Sequence, residues 1–388
     1  MATNVQRVPN WIVALGPLAL IAVLVVLFVR LDPIGSLREV PPVEAVAIER
    51  TVLDEGLITL EVRNDGPDPV TIAQVLVDDA YWDHEITDRE LGRLEAATIR
   101  IPYPWDEGLP LNILLVTSTG LTIEHEIEAA VETPDVDAGT FLTYALLGVY
   151  VGVVPVAVGL LWLPSLRRAS RRWIAFFLAF TVGLLAFLLV DTVAEGFELA
   201  GATAASLNGL GLFSFGALAA VFTLMWLGRS LDSRRGTVPG LVLAYLVAAG
   251  IGLHNLGEGL AVGAALAAGE IALGSFLIVG FALHNTTEGL AIVAPLGGTD
   301  RSERPLLKHL IALGAIAGAP TIAGAWLGGF AFSAAWASLA FGVAAGAIAQ
   351  VIWTVGRSVS GDNGLTSGRG ALGFMLGVAV MYLTGLFA

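Results

Sequence analysis

From Thr140 onward the chain is a series of apolar runs separated by short connections. Each run has roughly the ~20 residues that a helix needs to cross bilayer hydrocarbon. In lipid every backbone N–H and C=O must be satisfied internally, so unbroken runs of this length are restricted to helices. The runs predict eight transmembrane helices, over roughly residues 140–163, 173–196, 207–228, 239–268, 271–296, 306–328, 333–356 and 370–387. A further run, Trp11 to Val29, is bounded by Arg7 and Arg30 and lacks the small-residue cleavage pattern of a signal peptide, so it reads as an anchor helix. Charged residues make up 14% of the chain and the mean hydropathy is +0.78, which excludes a wholly soluble protein.

The connections sort by charge. Arg167, Arg168, Arg171 and Arg172 lie between the first and second of the eight spans; Arg229, Arg234 and Arg235 follow the third. Arg301, Arg304 and Lys308 follow the fifth, and Arg357 and Arg369 flank the connection after the seventh. The alternate connections, near 201–205, 269–270 and 328–333, carry no Lys or Arg. Basic loops stay in the cytoplasm. The expected topology has a cytoplasmic N-terminus, with residues 32–138 and the C-terminus outside a cell membrane crossed many times.

Residues 32–138 differ from what surrounds them. Most of the 34 acidic residues lie here, in a chain of net charge −14. An acidic, Lys-poor surface fits a halophilic, salt-adapted protein, and a surface that concentrates metal is the sharper alternative. Apolar residues alternate in Leu57-Ile58-Thr59-Leu60-Glu61-Val62 and in Val70-Thr71-Ile72-Ala73-Gln74-Val75, while Ile113 to Val116 forms a continuous run expected to be a more buried strand. Turn signals such as Asn64-Asp65-Gly66-Pro67 separate them, so a small antiparallel β-sandwich is expected. Three domains result: an anchor at 1–31, an extracytoplasmic acidic domain at 32–138, and an all-α membrane bundle at 139–388.

One segment occurs twice inside apolar spans: His254-Asn255-Leu256-Gly257-Glu258-Gly259 and His284-Asn285-Thr286-Thr287-Glu288-Gly289. His and Glu at i and i+4 share a helix face. The two spans meet at a turn near Gly269, so they run antiparallel. His254 and His284 are equally far from that turn, about 22 Å at ~1.5 Å per residue. Glu258 and Glu288 then fall about one turn to either side of that level. A carboxylate at mid-membrane costs several kcal/mol unless it is paired or wetted. The arrangement offers one ion two imidazoles and two carboxylates, a set that suits Zn2+ first, then Fe2+, Mn2+, Co2+ or Cd2+. The chain has no cysteine, so thiolate sites are excluded. Two hydrogen-bonded structural His–Glu pairs are the plain alternative. For Gly259 and Gly289, close helix packing is the favoured role.

Eight spans after a variable N-terminus, with His-Asn-x-x-Glu-Gly in the fourth and the fifth, resemble the ZIP (Zrt/Irt-like) metal transporters, particularly their GufA-like branch. The resemblance covers about residues 140–388. It implies uptake of divalent metal into the cytoplasm, a homodimer, and a first metal site made by His254, Glu258, His284 and Glu288. A second site would add Asn255, Asn285 and an acid on the sixth span. This chain has Ala319-Pro320 where that family has Glu-Pro, and Gln350 to Val355 where it has acids, so one ion per site is expected. The family's Pro before each motif Glu is replaced by Gly257 and Thr287.

Asp191, Glu195 and Glu198 share a face near the outer end of the second span, as an acidic funnel or as a helix end entering water. Glu270 reads as solvated. Asn208, Ser214, Gln350 and Thr354 read as helix-to-helix bonds rather than path lining. In the outer domain, Asp78, Asp79, Asp83, His84 and Glu85 form one polar cluster and Glu124, His125 and Glu126 another. The reading is a transporter rather than an enzyme, with the bilayer, a divalent metal ion and a second copy as partners and no nucleic acid. A non-transporting metal sensor or receptor and an intramembrane metal-dependent hydrolase are the alternatives.

Overall fold

A computed structural model describes residues 10–31, 42–232, 239–298, 307–359 and 364–386. Residues 32–41, at the start of the expected outer domain, and the cations Arg7, Arg234, Arg235, Arg301 and Arg304 lie outside them. The chain forms two compact units, 1–43 and 44–388. In the first, helix α1 (Asn10–Leu31) contains Pro17 and leaves Leu18, Val23 and Leu24 exposed on different sides, so it is apolar all round.

The second unit opens with nine strands. One sheet takes β1 (Val46–Asp54), β2 (Leu57–Asn64), β5 (Glu85–Ile86) and β7 (Ala96–Ile101) in the order β1-β2-β7-β5. The other takes β3 (Val70–Val77), β4 (Ala80–Trp82), β8 (Leu111–Thr117) and β9 (Thr122–Ile127) in the order β4-β3-β8-β9, with β6 (Glu90–Leu91) pairing β3. Every pairing is antiparallel. The alternation legible in the sequence is the alternation of burial: Ile58, Leu60 and Val62 of β2 and Ile72 and Val75 of β3 turn into a core shared by both sheets. The Ile113 to Val116 run is different from the expectation. It lies in β8, where Ile113 and Leu115 are buried and Leu114 and Val116 only half-buried, because one face of that sheet has no second layer over it.

The rest of the unit is helical, and among the described residues seven helical stretches are long and apolar enough to cross a membrane. The first is irregular: α2 (Ala138–Gly148), a π-helical segment at Val149–Val153, then α3 (Val154–Leu160) and α4 (Leu163–Arg168). Next come α5 (Arg171–Ala202), α6 (Gly209–Asp232), α7 (Pro239–Ala267) and α8 (Ile271–Val293). The sixth stretch is broken at Ala319 into α9 (Leu307–Gly318) and α10 (Pro320–Ala331), as the missing N–H of Pro320 requires. Helix α11 (Ala334–Ser358) is the seventh. The region of the last expected span forms a helix, α12 (Gly368–Gly385), whose 18 residues include Arg369 and five glycines and are not among the seven. It still packs tightly, with a Cβ on Gly377 falling 2.2 Å from the Phe180 carbonyl oxygen of α5.

Helix α7 is the hub, in contact with α8, α9, α10 and α11. Against α10 it packs backbone to backbone: a Cβ on Gly259 would lie 2.1 Å from Thr321 O, and one on Gly324 would lie 2.1 Å from Leu256 O. Gly289 plays the matching part on α8, where a Cβ would lie 2.3 Å from Val156 O of α3. Both motif glycines therefore serve close packing, as expected. Helices α7 and α8 run unbroken through Gly257 and Thr287; Gly257 makes room for the Phe341 ring.

The β-domain docks on helix connections. Asp65 accepts hydrogen bonds from the Ala205 and Ser206 amides at 2.8 and 2.6 Å, between α5 and α6. Val131 sits against Gly269, whose φ of +78° makes the α7–α8 turn. These are connections without Lys or Arg. Asn208 turns the chain into α6 and accepts from the Gly211 amide, and Gln350 bonds Thr354 on its own helix.

Two outcomes test this packing. Gly324→Val should destabilise the protein by about 1–3 kcal/mol, through forced separation of α7 and α10. It should lower the thermal midpoint in detergent, while Gly201→Ala, with open space around it, leaves the midpoint unchanged. An unchanged midpoint for both variants would contradict the backbone contact. Partial burial pushes the Asp65 carboxyl up, and the hydrogen bonds from Ser206 and Ala205 outweigh it, holding the carboxyl below its usual value. A depressed folded-state pKa gives stability above the unfolded value, lost as pH falls through the folded one. Amide exchange at Ala205 and Ser206 should therefore speed up as pH drops below the ordinary Asp range, after correction for intrinsic rates, and Asp65→Ala should remove that dependence.

Candidate metal centre

Helices α7 and α8 bring His254, Glu258, His284 and Glu288 together. All four are buried, and one ligand atom from each lies within 4.8 Å of every other. The imidazole ring centres are 6.4 Å apart, consistent with the equal spacing of the two His from Gly269. Among the described residues this is the only group of three or more His, Cys, Asp or Glu side chains so converged.

Glu258 is the meeting point. Its Oε1 is hydrogen-bonded to His284 Nε2 and lies 3.2 Å from His254 Nε2, and its Oε2 accepts from Asn285 Nδ2 at 2.8 Å. Glu288 is different: it is 0% exposed and, among the described residues, neither carboxylate oxygen has a hydrogen-bond partner. A buried carboxylate left this way costs several kcal/mol until a cation or proton reaches it.

The tautomer of His254 follows from a residue that the sequence did not single out. Thr192 of α5 donates its hydroxyl proton to Leu188 O at 2.7 Å, one turn back. The same oxygen lies 3.0 Å from His254 Nδ1. With its proton committed, Thr192 can only accept, so Nδ1 of neutral His254 carries the hydrogen and Nε2 offers a lone pair. That lone pair has no hydrogen-bond partner and points among the carboxylates, where a positive charge is needed. Thr192 lies beside Asp191 in the acidic face already noted, but a Thr in an apolar helix usually bonds its own backbone and gives no signal of a second partner.

Asn255 and Asn285 are both fully buried. Each anchors its amide on irregular backbone: Asn255 Nδ2 donates to Ala317 O at 3.1 Å, beside the break at Ala319, and Asn285 Nδ2 donates to Val151 O at 3.0 Å, within the π-helical segment. Their Oδ1 atoms are unpartnered. At the break, Ala319 carries no ligand, and the Thr321 hydroxyl is buried without a partner.

Of the other candidates, Asp191 and Glu195 line a cavity with His254 and Glu258, as does Glu270; Glu198 does not. In the β-domain clusters, three members bond other residues of the sandwich. Asp78 accepts from Tyr103 Oη and the Asn112 amide, Glu124 accepts from Asn112 Nδ2, and His125 bonds Thr51.

The arrangement can hold a divalent cation. Two imidazole nitrogens and two carboxylate oxygens form a set that zinc accepts, and tetrahedral zinc would draw them to about 3.3–3.5 Å from one another. No family model and no curated protein matches the sequence. Among solved structures, the archaellum periplasmic stator protein FlaG from Sulfolobus acidocaldarius is similar to a part of the chain. The likeness has 13% identity, covers 22% of this chain and 99% of that one, and has a TM-score of 0.20. At that score it bears on neither the fold nor the function.

Thr192→Val keeps the shape and removes the acceptor for Nδ1. Loss of such a partner weakens metal binding about 10- to 100-fold. Zinc and cadmium titration of the purified protein should show that loss with an unchanged stoichiometry; equal affinity would mean that Thr192 does not orient His254.

Proposed function

We propose that the protein is a ZIP-like transporter that carries a divalent transition metal, zinc first among them, towards the cytoplasm through this centre. The observation that carries the proposal is the buried Glu288 carboxylate, unpartnered, beside two imidazoles and a second carboxylate in a bundle of apolar helices. A cation or a proton relieves such a group, and a pair of half-motifs on antiparallel helices resembles the repeated elements from which transporters build midplane sites. In this reading α12 is the eighth span, the β-domain lies outside the cell, and metal is substrate rather than resident cofactor. His254, Glu258, His284 and Glu288 hold the ion, while Asn285 orients Glu258 and Asn255 holds α7 to the break in the sixth stretch.

The ion must enter a site whose ligands already bond one another. Metal therefore displaces the His284–Glu258 hydrogen bond and releases the protons held there. Glu288, with no hydrogen bond to give up among the described residues, is free to take the ion beyond Glu258.

Zinc and cadmium flux into proteoliposomes tests the reading. The His254→Ala/His284→Ala protein should lose essentially all flux, and Glu288→Gln should lose most of it, on the scale of a deleted buried ligand, about 10²-fold or more. Absence of flux in the unaltered protein, with tight binding that needs both His, would replace transport by sensing. Metal-dependent cleavage of a lipid or peptide bond would replace it by hydrolysis.

A further inference from the structure

Two cavities lie end to end between the centre and the β-domain. The inner one, about 420 Å³, has Asp191, Glu195, His254, Glu258 and Glu270 on its wall. The outer one, about 670 Å³, lies between the β-domain, which presents Arg50, His125, Glu126 and Glu128, and the helix ends, which present Glu270 and Phe332. Ala264, Ala268, Glu270 and Phe332 line both. The inner cavity ends on an unsatisfied ligand, because His254 is 4% exposed and its Nε2 has no hydrogen-bond partner.

We propose that a divalent cation reaches the centre through the chamber beneath the β-domain, and that Glu270 is the carboxylate that passes it from the outer cavity to the inner one. This rests on the transport reading above. The β-domain is then the fixed roof of an antechamber, held by Asp65 on the α5–α6 connection and by Val131 on the α7–α8 turn. The charge of the chamber favours cations: Glu126, Glu128 and Glu270 face one Arg50, which itself lies 4.0 Å from Glu61. Apolar walls concentrate that field. The throat is built of side chains that cannot bind a metal, Ala264, Ala268 and Phe332, with Glu270 as its one charged group. Small alanines leave width for a hydrated ion, and one carboxylate attracts it without holding it. Glu270 belongs to the turn made by Gly269, so the same turn that makes α7 and α8 antiparallel sets this group over the path.

The chain contains no cysteine, so Ala268→Cys introduces a single thiol at the throat. Full-length Ala268→Cys protein would be labelled with a bulky maleimide in detergent, reconstituted, and compared with its unlabelled form for zinc flux. Asp83→Cys, at an exposed position of the β-domain that lines neither cavity, is the labelling control. Labelling at residue 268 should cut flux about tenfold or more and labelling at residue 83 should not; Glu270→Gln should raise the KM for zinc about three- to tenfold at low ionic strength, with kcat unchanged, because steering acts on capture. Unchanged flux after complete labelling of Ala268→Cys would overturn the route while leaving transport intact. A Glu270→Gln protein with an unaltered KM would overturn the role of that carboxylate. No flux in the unlabelled, unaltered protein would fail the transport reading itself, and this proposal with it.

Discussion

The centre depends on one constraint: two carboxylates and two imidazoles are enclosed by apolar helices, and water cannot repay their lost solvation. Glu258 is compensated by hydrogen bonds from two side chains, His284 and Asn285. Glu288 has no hydrogen-bond partner among the described residues. That asymmetry between two near-identical half-motifs is physical. Glu258 lies on the side of the His level that opens to the inner cavity, and Glu288 lies on the other. A transported ion would meet a polarised, bonded carboxylate first and an unbonded one beyond it, so the arrangement has a direction even though the motif is repeated.

Enclosing the cluster requires the neighbouring backbone to come close and to supply acceptors for the amides of Asn255 and Asn285. Both needs are met by departures from regular helix. The π-helical segment supplies Val151 O to Asn285, and the chain beside the Ala319 break supplies Ala317 O to Asn255. The two irregularities touch each other, since a Cβ on Gly152 would fall 2.1 Å from Thr321 Oγ1. Non-helical backbone at membrane depth is tolerable where protein buries it, and here the motif asparagines satisfy part of what it exposes. The same two Asn side chains thus act as struts between the paired motif helices and the helices that cover them.

Much of this was legible in the amino-acid pattern. Long apolar runs can only be helices in lipid, and alternation in β2 and β3 is the alternation of their burial. Equal distances of His254 and His284 from Gly269 are consistent with rings whose centres stand 6.4 Å apart. What was not legible consists of interactions that side-chain pattern does not encode. Thr192 looks like any helical Thr until α5 is seen against α7. The carbonyls that receive Asn255 and Asn285 belong to backbone, which every residue shares. The half-buried face of β8 reflects which layer covers a sheet, and a run such as Ile113 to Val116 is equally apolar in either case. In α12, glycines that let it approach α5 also lower its apolarity, so packing and lipid solubility point opposite ways for that segment.

The docking of the β-domain joins these levels. Connections without basic residues lie beneath it, and an Asp at a β-turn caps the amides of one of them. Backbone amides at a helix connection carry partial positive charge, which is what a carboxylate can bind where no Lys or Arg is present. An acidic domain would otherwise be repelled by the acidic face of α5 and by Glu270. Anchoring through amide dipoles lets two negatively charged surfaces stand close with a chamber between them, and the repulsion that remains is lowered by a cation. The charge that makes the domain costly to dock is therefore the charge that would draw the ion in.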